Sequence, residues 1–481
     1  MTDFPPSPYE PPPSPIDYTS LPVPEKRGAN VVAAWFVIWL IVILIAVVLP
    51  ILGGRKRLAS APSTTQPSVP TTPAPVPGPA PNSEAELKIA SRLAIGFHEL
   101  TRSDAQASQM MPMFVNQLTA TPKTPHERLC AAVVIGDVDG ADAAIRQIDQ
   151  IQSQLKGDDA ETATALRKLY GKGSRSLDSK ENELIRTNLG WYGDLALVHD
   201  APPDDPQRQA LVHPAVRSIV VFSVAAIVVG IALLAGTVLL IIALIRILSG
   251  KLVRRFTIVA TRNAPFLEAF AIYLFLFAAG ALLIALFAPG DPLQWEIGLI
   301  ILLPVAYFWP RWRGVGHDET IRTLGWHTGN GVLREMASGV LAYITGLPII
   351  FVGLMILLVL VMISHAQPSH PIQQEAVSGP WQIAKLYFLA SVWAPIFEES
   401  MFRGAFFGYM RSRWSWLPSA ALVALIFALI HPQGWTTVPA LFAIAIVLAG
   451  IREWRGSLIG CVTAHALHNG VLMTIFILGV A

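Results

Sequence analysis

From Val216 to the C-terminus the chain is almost continuously apolar, interrupted at short intervals by polar and basic residues. Apolar stretches at about 217–247, 264–288, 295–309, 337–364, 382–410, 417–431, 437–451 and 457–479 have roughly the length of a bilayer-crossing helix or fall somewhat short of it. A further run, Val31–Leu52, stands behind a polar leader and is too long for the core of a signal peptide, so it predicts an uncleaved anchor. The pattern therefore predicts an all-α protein, a polytopic transmembrane helix bundle of about nine spans.

The polar segments divide the rest. Residues 1–30 are proline-rich and predict a disordered or polyproline-like tail. Residues 53–82, dominated by Pro, Ser, Thr and Ala, predict a semi-extended tether. Residues 83–205 predict a small extramembrane helical domain. Ser83 with Glu86, and Thr124 with Pro125 and Glu127, are helix-start patterns, and apolar residues then recur at helical spacing through Leu129, Val133, Ala141, Ala144, Ile148 and Ile151. Gly136 and Gly140 are expected to break this stretch into a helical hairpin. Spans in 206–319 then lead to a membrane core at 320–481.

Composition agrees with a membrane chain: 53% hydrophobic and 14% charged, against about 25% charged in soluble domains. A net charge of +2 gives no sign of nucleic-acid binding. The two cysteines, Cys130 and Cys461, are far apart and predict neither a disulfide framework nor a thiolate metal site. Basic residues alternate along the chain: Arg246–Arg262, Arg311–Arg322, Arg411 with Arg413, and Arg452 with Arg455 occupy every second loop, while 289–294, 365–381 and 432–436 carry no Lys or Arg. The positive-inside rule then places the N-terminus in the cytoplasm and the 83–205 insert and the C-terminus outside, in a multi-pass plasma (inner) membrane protein. Arg55-Lys56-Arg57 opposes this for the first span alone.

Two adjacent glutamates, Glu398 and Glu399, lie inside one apolar stretch, where a charge costs about 2.5–3.5 kcal/mol on insertion scales. On a helix Glu399 pairs with Arg403 one turn on, while Glu398 points about 100° away and stays free. Phe427 and His431 stand one turn apart near the end of the next stretch, and His465 and Asn469 one turn apart on the last. A buried carboxylate can take a proton from water, a histidine can orient that water, and a histidine with an asparagine amide can donate to a developing oxyanion. These parts suit amide hydrolysis without a nucleophilic serine or cysteine.

The ordered motifs Glu398-Glu399-x-x-x-Arg403, Phe427-x-x-x-His431 and His465-x-x-x-Asn469 resemble those of the CAAX-protease and bacteriocin-processing family of intramembrane glutamate proteases, the abortive-infection family. The resemblance extends over roughly 320–479 and includes Leu324-Gly325-Trp326, Gly329, Gly331, Glu335, Gly339 and Leu347-Pro348. It implies an intramembrane endopeptidase in which Glu398 and His431 activate water, His465 and Asn469 form the oxyanion hole, and Glu399, Arg403 and Phe427 support them. The implied partner is a membrane-associated peptide or protein substrate, with a protein partner of the 83–205 domain also expected. No cofactor is required, although Glu398, His431 and His465, with His468 nearby, also form a conceivable zinc set. The alternative from another class is a non-proteolytic membrane scaffold or immunity protein that keeps the fold. A proton-coupled transporter is a further reading, but no inverted repeat of broken helices is visible.

Overall fold

The structure, a computed structural model, describes residues 29–48, 83–102, 104, 106, 109–260, 262–287, 304–364, 379–431 and 433–480. The proline-rich tail, the tether and most of the expected 295–309 span lie outside the described residues. Among the described residues every regular element is helical and no strand occurs.

The helical domain at 83–205 comprises α2 (Ser83–Thr101), α3 (Met111–Ala120), α4 (Pro125–Asp139), α5 (Ala141–Ile151), α6 (Asp158–Lys172), α7 (Ser179–Leu189) and α8 (Trp191–Leu197); the span preceding it, α1, is Ala29–Ile43. The N-terminus of α4 is the expected capping box. The Thr124 hydroxyl accepts from the Glu127 backbone N–H, and the Glu127 carboxylate accepts from Thr124 N. Gly140, at φ +95°, makes the turn between α4 and α5, a backbone region open chiefly to glycine. Gly136 does not break the helix, contrary to expectation. It lies inside α4, where its missing Cβ admits the Tyr170 ring to within 2.9 Å of the position a Cβ would take. A helix-interior glycine read from sequence as a breaker is here a packing notch.

The domain is not hung on a loop. Helix α9 runs unbroken over Pro206–Leu248, 43 residues, and its first turns are part of the domain's core through Val212 and Ala215. Hydropathy starts this span near 217 because the preceding turns are polar on one face. The buried Arg208 of α9 is held by Asp137 of α4 and Glu99 of α2 at 2.7 and 2.8 Å. Helix α2 lies antiparallel to α9, close enough for Gly96 to lie against the carbonyl of Ala215.

Among the described residues, five helices are long and apolar enough to cross a membrane: Ala29–Ala46, α9, α13 (Val332–Ser364), Trp435–Arg455 and Leu458–Ile475. Helix α10 (Ala264–Phe287) and α15 (Trp416–Leu429) contain shorter apolar helices. Residues 304–312 form α11 and His317–Leu324 form α12. The helix that carries the glutamates, α14, covers 380–411; the last two are α16 (Val438–Arg455) and α17 (Leu458–Val480). On α13, Gly339, Gly346 and Gly353 recur every seven residues and face Gly460, Val447 and Ala443 respectively. Small residues on one face let backbones approach closely where lipid offers no hydrophobic drive to associate.

The basic loops meet at one end of the bundle, where most of their arginines are exposed but Arg411, Arg452 and Arg455 are buried. Arg455 makes a two-point ion pair with Glu335 at 2.7 and 2.8 Å, and Arg411 does so with Glu453 at 2.9 and 3.1 Å. Arg452 is buried, donates to the carbonyls of Arg403 and Thr323, and lies 5.0 Å over the Phe256 ring. These side chains, expected as loop charges, fasten helix ends together. Residues 255 and 256 also bond the backbone of 453 and 454, and Leu458 N bonds Gly325 O. The insert stands at the opposite end of α9 from these loops.

A methyl group at Gly339 would meet Gly460 O at 2.4 Å, which neither backbone can relieve by a rotamer change. Gly339→Ala is expected to destabilise the bundle by about 1–3 kcal/mol. Gly230→Ala, on an open face of α9, is expected to leave it unchanged or slightly more stable. Thermal unfolding of the purified variants in detergent reads the difference.

Candidate active site

The site is built around α14, which is not a uniform helix. Wide π-helical turns at Leu389–Trp393 and Ser400–Phe406 bracket the α-helical turn Ala394–Glu399. Pro395 sits at the start of that middle turn. In a π turn Ala390 O would pair with the N–H five residues on, but residue 395 is proline and has none. Asn469 of α17 supplies the missing donor, with Nδ2 2.7 Å from Ala390 O. The proline thus widens the helix just before the glutamates and ties it to the last span.

Glu399 and Arg403 are fully buried, 0% exposed, and paired at 2.9 Å. The same carboxylate oxygen receives His465 Nδ1 at 2.9 Å. Arg403 also donates to Ala445 O at 3.3 Å, and its guanidinium lies 4.7 Å over the Phe427 ring. Glu399 is therefore held from two sides by cationic or donor groups. Glu398 is not. Its Oε2, like the second oxygen of Glu399, has no hydrogen-bond partner among the described residues, but its side chain is 23% exposed and its nearest ionisable nitrogen, His465 Nε2, is 4.0 Å away.

His431 reaches the site because α15 is short. Helix α15 ends at Leu429, about 21 Å from its start at 1.5 Å per residue, so the following loop turns back at the depth of the glutamates. His431 Nδ1 lies 2.5 Å from Phe427 O, and its ring packs on Phe427 with centroids 4.3 Å apart. Glu398, His465 and Arg403 are the charged or ionisable groups that act on it electrostatically. A carbonyl and a carboxylate can only accept, so Nδ1 carries the hydrogen in both His431 and His465. Both imidazoles consequently present Nε2 as the unengaged atom.

The structure thus brings together Glu398, Glu399, Arg403, Phe427, His431 and His465. Asn469 lies one turn beyond His465 on α17, with one amide hydrogen committed to Ala390. His468 faces elsewhere, its Nδ1 3.2 Å from the Tyr343 hydroxyl on α13. Among the described residues no group of three or more His, Cys, Asp or Glu side chains is arranged to hold a metal ion.

Three supporting contacts are invisible in the motifs. Trp326 Nε1 donates to Ser400 Oγ at 3.0 Å, anchoring the second wide turn. Arg452 Nε donates to the carbonyl of Arg403 in that turn. Arg452 in turn needs Gly325, at φ +92°, because a Cβ there would lie 2.5 Å from the guanidinium. Tyr273 of α10 packs against Phe397 with ring centroids 5.1 Å apart. A tyrosine inside the apolar run of α10 was the available signal for the last.

No curated protein and no solved structure was found to match the chain. A family model described as type II CAAX prenyl endopeptidase Rce1-like matches residues 380–471, from the first turn of α14 to the middle of α17. The matched segment is narrower than the 320–479 expected from the motifs and leaves the glycine-rich stretch before α13 outside, yet it contains all seven motif residues. Over residues 380–471 the chain therefore matches the type II CAAX prenyl endopeptidase family that its three motifs resemble.

Proposed function

We propose that this membrane protein is an intramembrane endopeptidase that hydrolyses a peptide bond with water activated by Glu398. The observation that carries the reading is the asymmetry of the two glutamates: Glu399 holds Arg403 and His465 through one oxygen, whereas Glu398 has no hydrogen-bond partner among the described residues and lies 4.0 Å from His465 Nε2. In the proposed reaction the water oxygen adds to the scissile carbonyl carbon as its proton passes to Glu398, helped by His431. The carbonyl oxygen becomes an oxyanion, which accepts hydrogen bonds from protonated His465 Nε2 and the second amide hydrogen of Asn469. Glu399, whose Oε1 faces both Arg403 and His465, holds the imidazole in place through Nδ1. The C–N bond then breaks as Glu398 returns the proton to the leaving amine, leaving the enzyme unchanged. Zinc, for which Glu398, His431 and His465 would have to move together as ligands, is the competing chemistry, and sensitivity of the purified protein to chelators separates the two. A membrane-associated peptide or protein is the proposed substrate.

We further propose that the basic end of the bundle faces the cytoplasm, which places the insert outside with the C-terminal end of α17. A substrate-presenting or partner-binding role for the insert would then act from the outer face. The native cysteines are buried, and burial pushes the Cys130 thiol up to about 12, so neither should react in the folded protein. A cysteine at the exposed Ser153 should label with a membrane-impermeant reagent on intact cells; labelling only after lysis would reverse the orientation.

Glu398→Gln keeps the side chain's shape and removes the proton acceptor. It should lower cleavage by a factor on the order of 10²–10⁴ while leaving the melting temperature near wild type. Substrates are found by comparing membrane proteomes of cells carrying wild type or Glu398→Gln; full cleavage by the variant would favour the scaffold reading. Glu399→Gln and Arg403→Ala should instead lower both activity and melting temperature, because each leaves its partner charged and unpaired in an apolar setting, at a cost of about 3–5 kcal/mol.

A further inference from the structure

A crevice of about 670 Å³ lies on the flank of the bundle between α1, α10 and α11. Ligand sites commonly measure about 300–1,000 Å³. None of the residues described for the active site lines it; Phe270 and Tyr273, on the opposite face of α10, are the ones that pack against α14. The crevice changes character along its length. At the basic end its walls include Asn30, Glu268, Trp312 and Arg313. Two turns farther along α1 and α10, about 10 Å at 1.5 Å per residue, they are Val37 and Phe275. Trp312 and Phe275 are 77% and 54% exposed, so the crevice opens to the surface at both levels.

The polar end holds one acid and one base. Glu268 Oε2 accepts from Trp309 Nε1 and from Arg313 Nε, both at 2.9 Å, whereas Oε1 has only Arg313 Nη2 at 3.4 Å among the described residues. Arg313 Nη1 and Trp312 Nε1 donate to no described residue. By itself the Glu268–Arg313 pair would be a clamp between α10 and the end of α11, and a clamp needs no cavity beside it. In a bilayer such a crevice fills with lipid, because an empty one forfeits the dispersion contacts of its lining. Its polar end lies with the basic loops, at the level where headgroups and interfacial tryptophans meet. Basic residues alone would select an anionic headgroup. Here a carboxylate oxygen with remaining acceptor capacity stands next to a guanidinium with a remaining donor. That charge pattern is complementary to a headgroup carrying both an ammonium and a phosphate.

We propose that the crevice is a binding site for phosphatidylethanolamine from the leaflet on the basic side. The phosphate accepts from Arg313 Nη1 and the Trp312 indole. The primary ammonium donates to Glu268 Oε1 and to the side-chain carbonyl of Asn30, and one acyl chain lies along Val37, Ile272 and Phe275. A choline headgroup has no N–H to donate, and a glycerol headgroup brings no cation to Glu268. The inference is independent of the peptidase reading.

The test uses the full-length protein as wild type, Glu268→Gln and Ala33→Trp. Each is reconstituted in phosphatidylcholine vesicles containing a small fraction of phosphatidylethanolamine with a diazirine midway along one acyl chain. After irradiation, adducts are located by peptide mass spectrometry. Wild type should be labelled on the peptides that contain Val37 and Phe275. Unlabelled phosphatidylethanolamine should suppress that labelling several-fold more effectively than phosphatidylglycerol or phosphatidylcholine. Glu268→Gln removes the ammonium's acceptor and should abolish the preference; its melting temperature is measured alongside, because Arg313 loses its counter-charge. Ala33→Trp keeps the ion pair and fills the crevice from an exposed position, so labelling should fall several-fold while the melting temperature stays near wild type. Four results overturn the proposal: labelling spread over all membrane helices, equal competition by the three lipids, an ethanolamine preference kept by Glu268→Gln, or labelling unchanged in Ala33→Trp.

Discussion

The buried contact among Glu399, Arg403 and His465 is the constraint on which the site depends. A carboxylate and a guanidinium at 0% exposure in a membrane bundle are tolerable only as a pair, and even then their desolvation can exceed their attraction. The pair is best understood as a device for geometry. It fixes the rotamer of Glu399, which fixes His465 on another helix, and it lays Arg403 over Phe427, against which His431 packs. Three spans are registered by one neutralised charge pair, and the neighbouring glutamate is left with an unsatisfied oxygen among them.

The rest of the bundle serves that register. The π turns widen α14 on either side of the glutamates, and each has an outside partner: Asn469 satisfies the carbonyl that Pro395 cannot reach, and Arg452 and Trp326 hold the second turn. At the basic end, Arg411–Glu453 and Arg455–Glu335 clamp helix ends that would otherwise rely on weak apolar packing in lipid. Asn469 thus has a structural duty that exists before any substrate arrives, and the same amide retains a hydrogen for an oxyanion.

Much of this was legible in the sequence where the interaction is local. The Glu399–Arg403 pair, the Thr124–Glu127 capping box and the one-turn spacing of Phe427 and His431 follow from helix geometry alone. Interactions between segments were not legible. Glu399 and His465 are 66 residues apart, and nothing in either motif requires that they bond. The short α15 resolves the depth mismatch that the sequence poses between Glu398, mid-span, and His431, at a span end. Arg411, Arg452 and Arg455 satisfy the charge alternation as well as solvated residues would, because a positional rule counts charges and cannot see their partners. The polar first turns of α9 escaped hydropathy for a related reason: they are buried against α2 and α4, not against lipid. Tyr273 carried a weak signal, a hydroxyl in an apolar run, which only the fold connects to Phe397.

The central claim is that two adjacent glutamates occupy opposite chemical states, one locked and one free. Treating the folded wild-type protein in membranes with a hydrophobic carbodiimide, then mapping the adducts by peptide mass spectrometry, compares them within one molecule. The account predicts modification at Glu398 and none at Glu399 until the protein is unfolded. Equal modification of both, or modification of Glu399 alone, would contradict it.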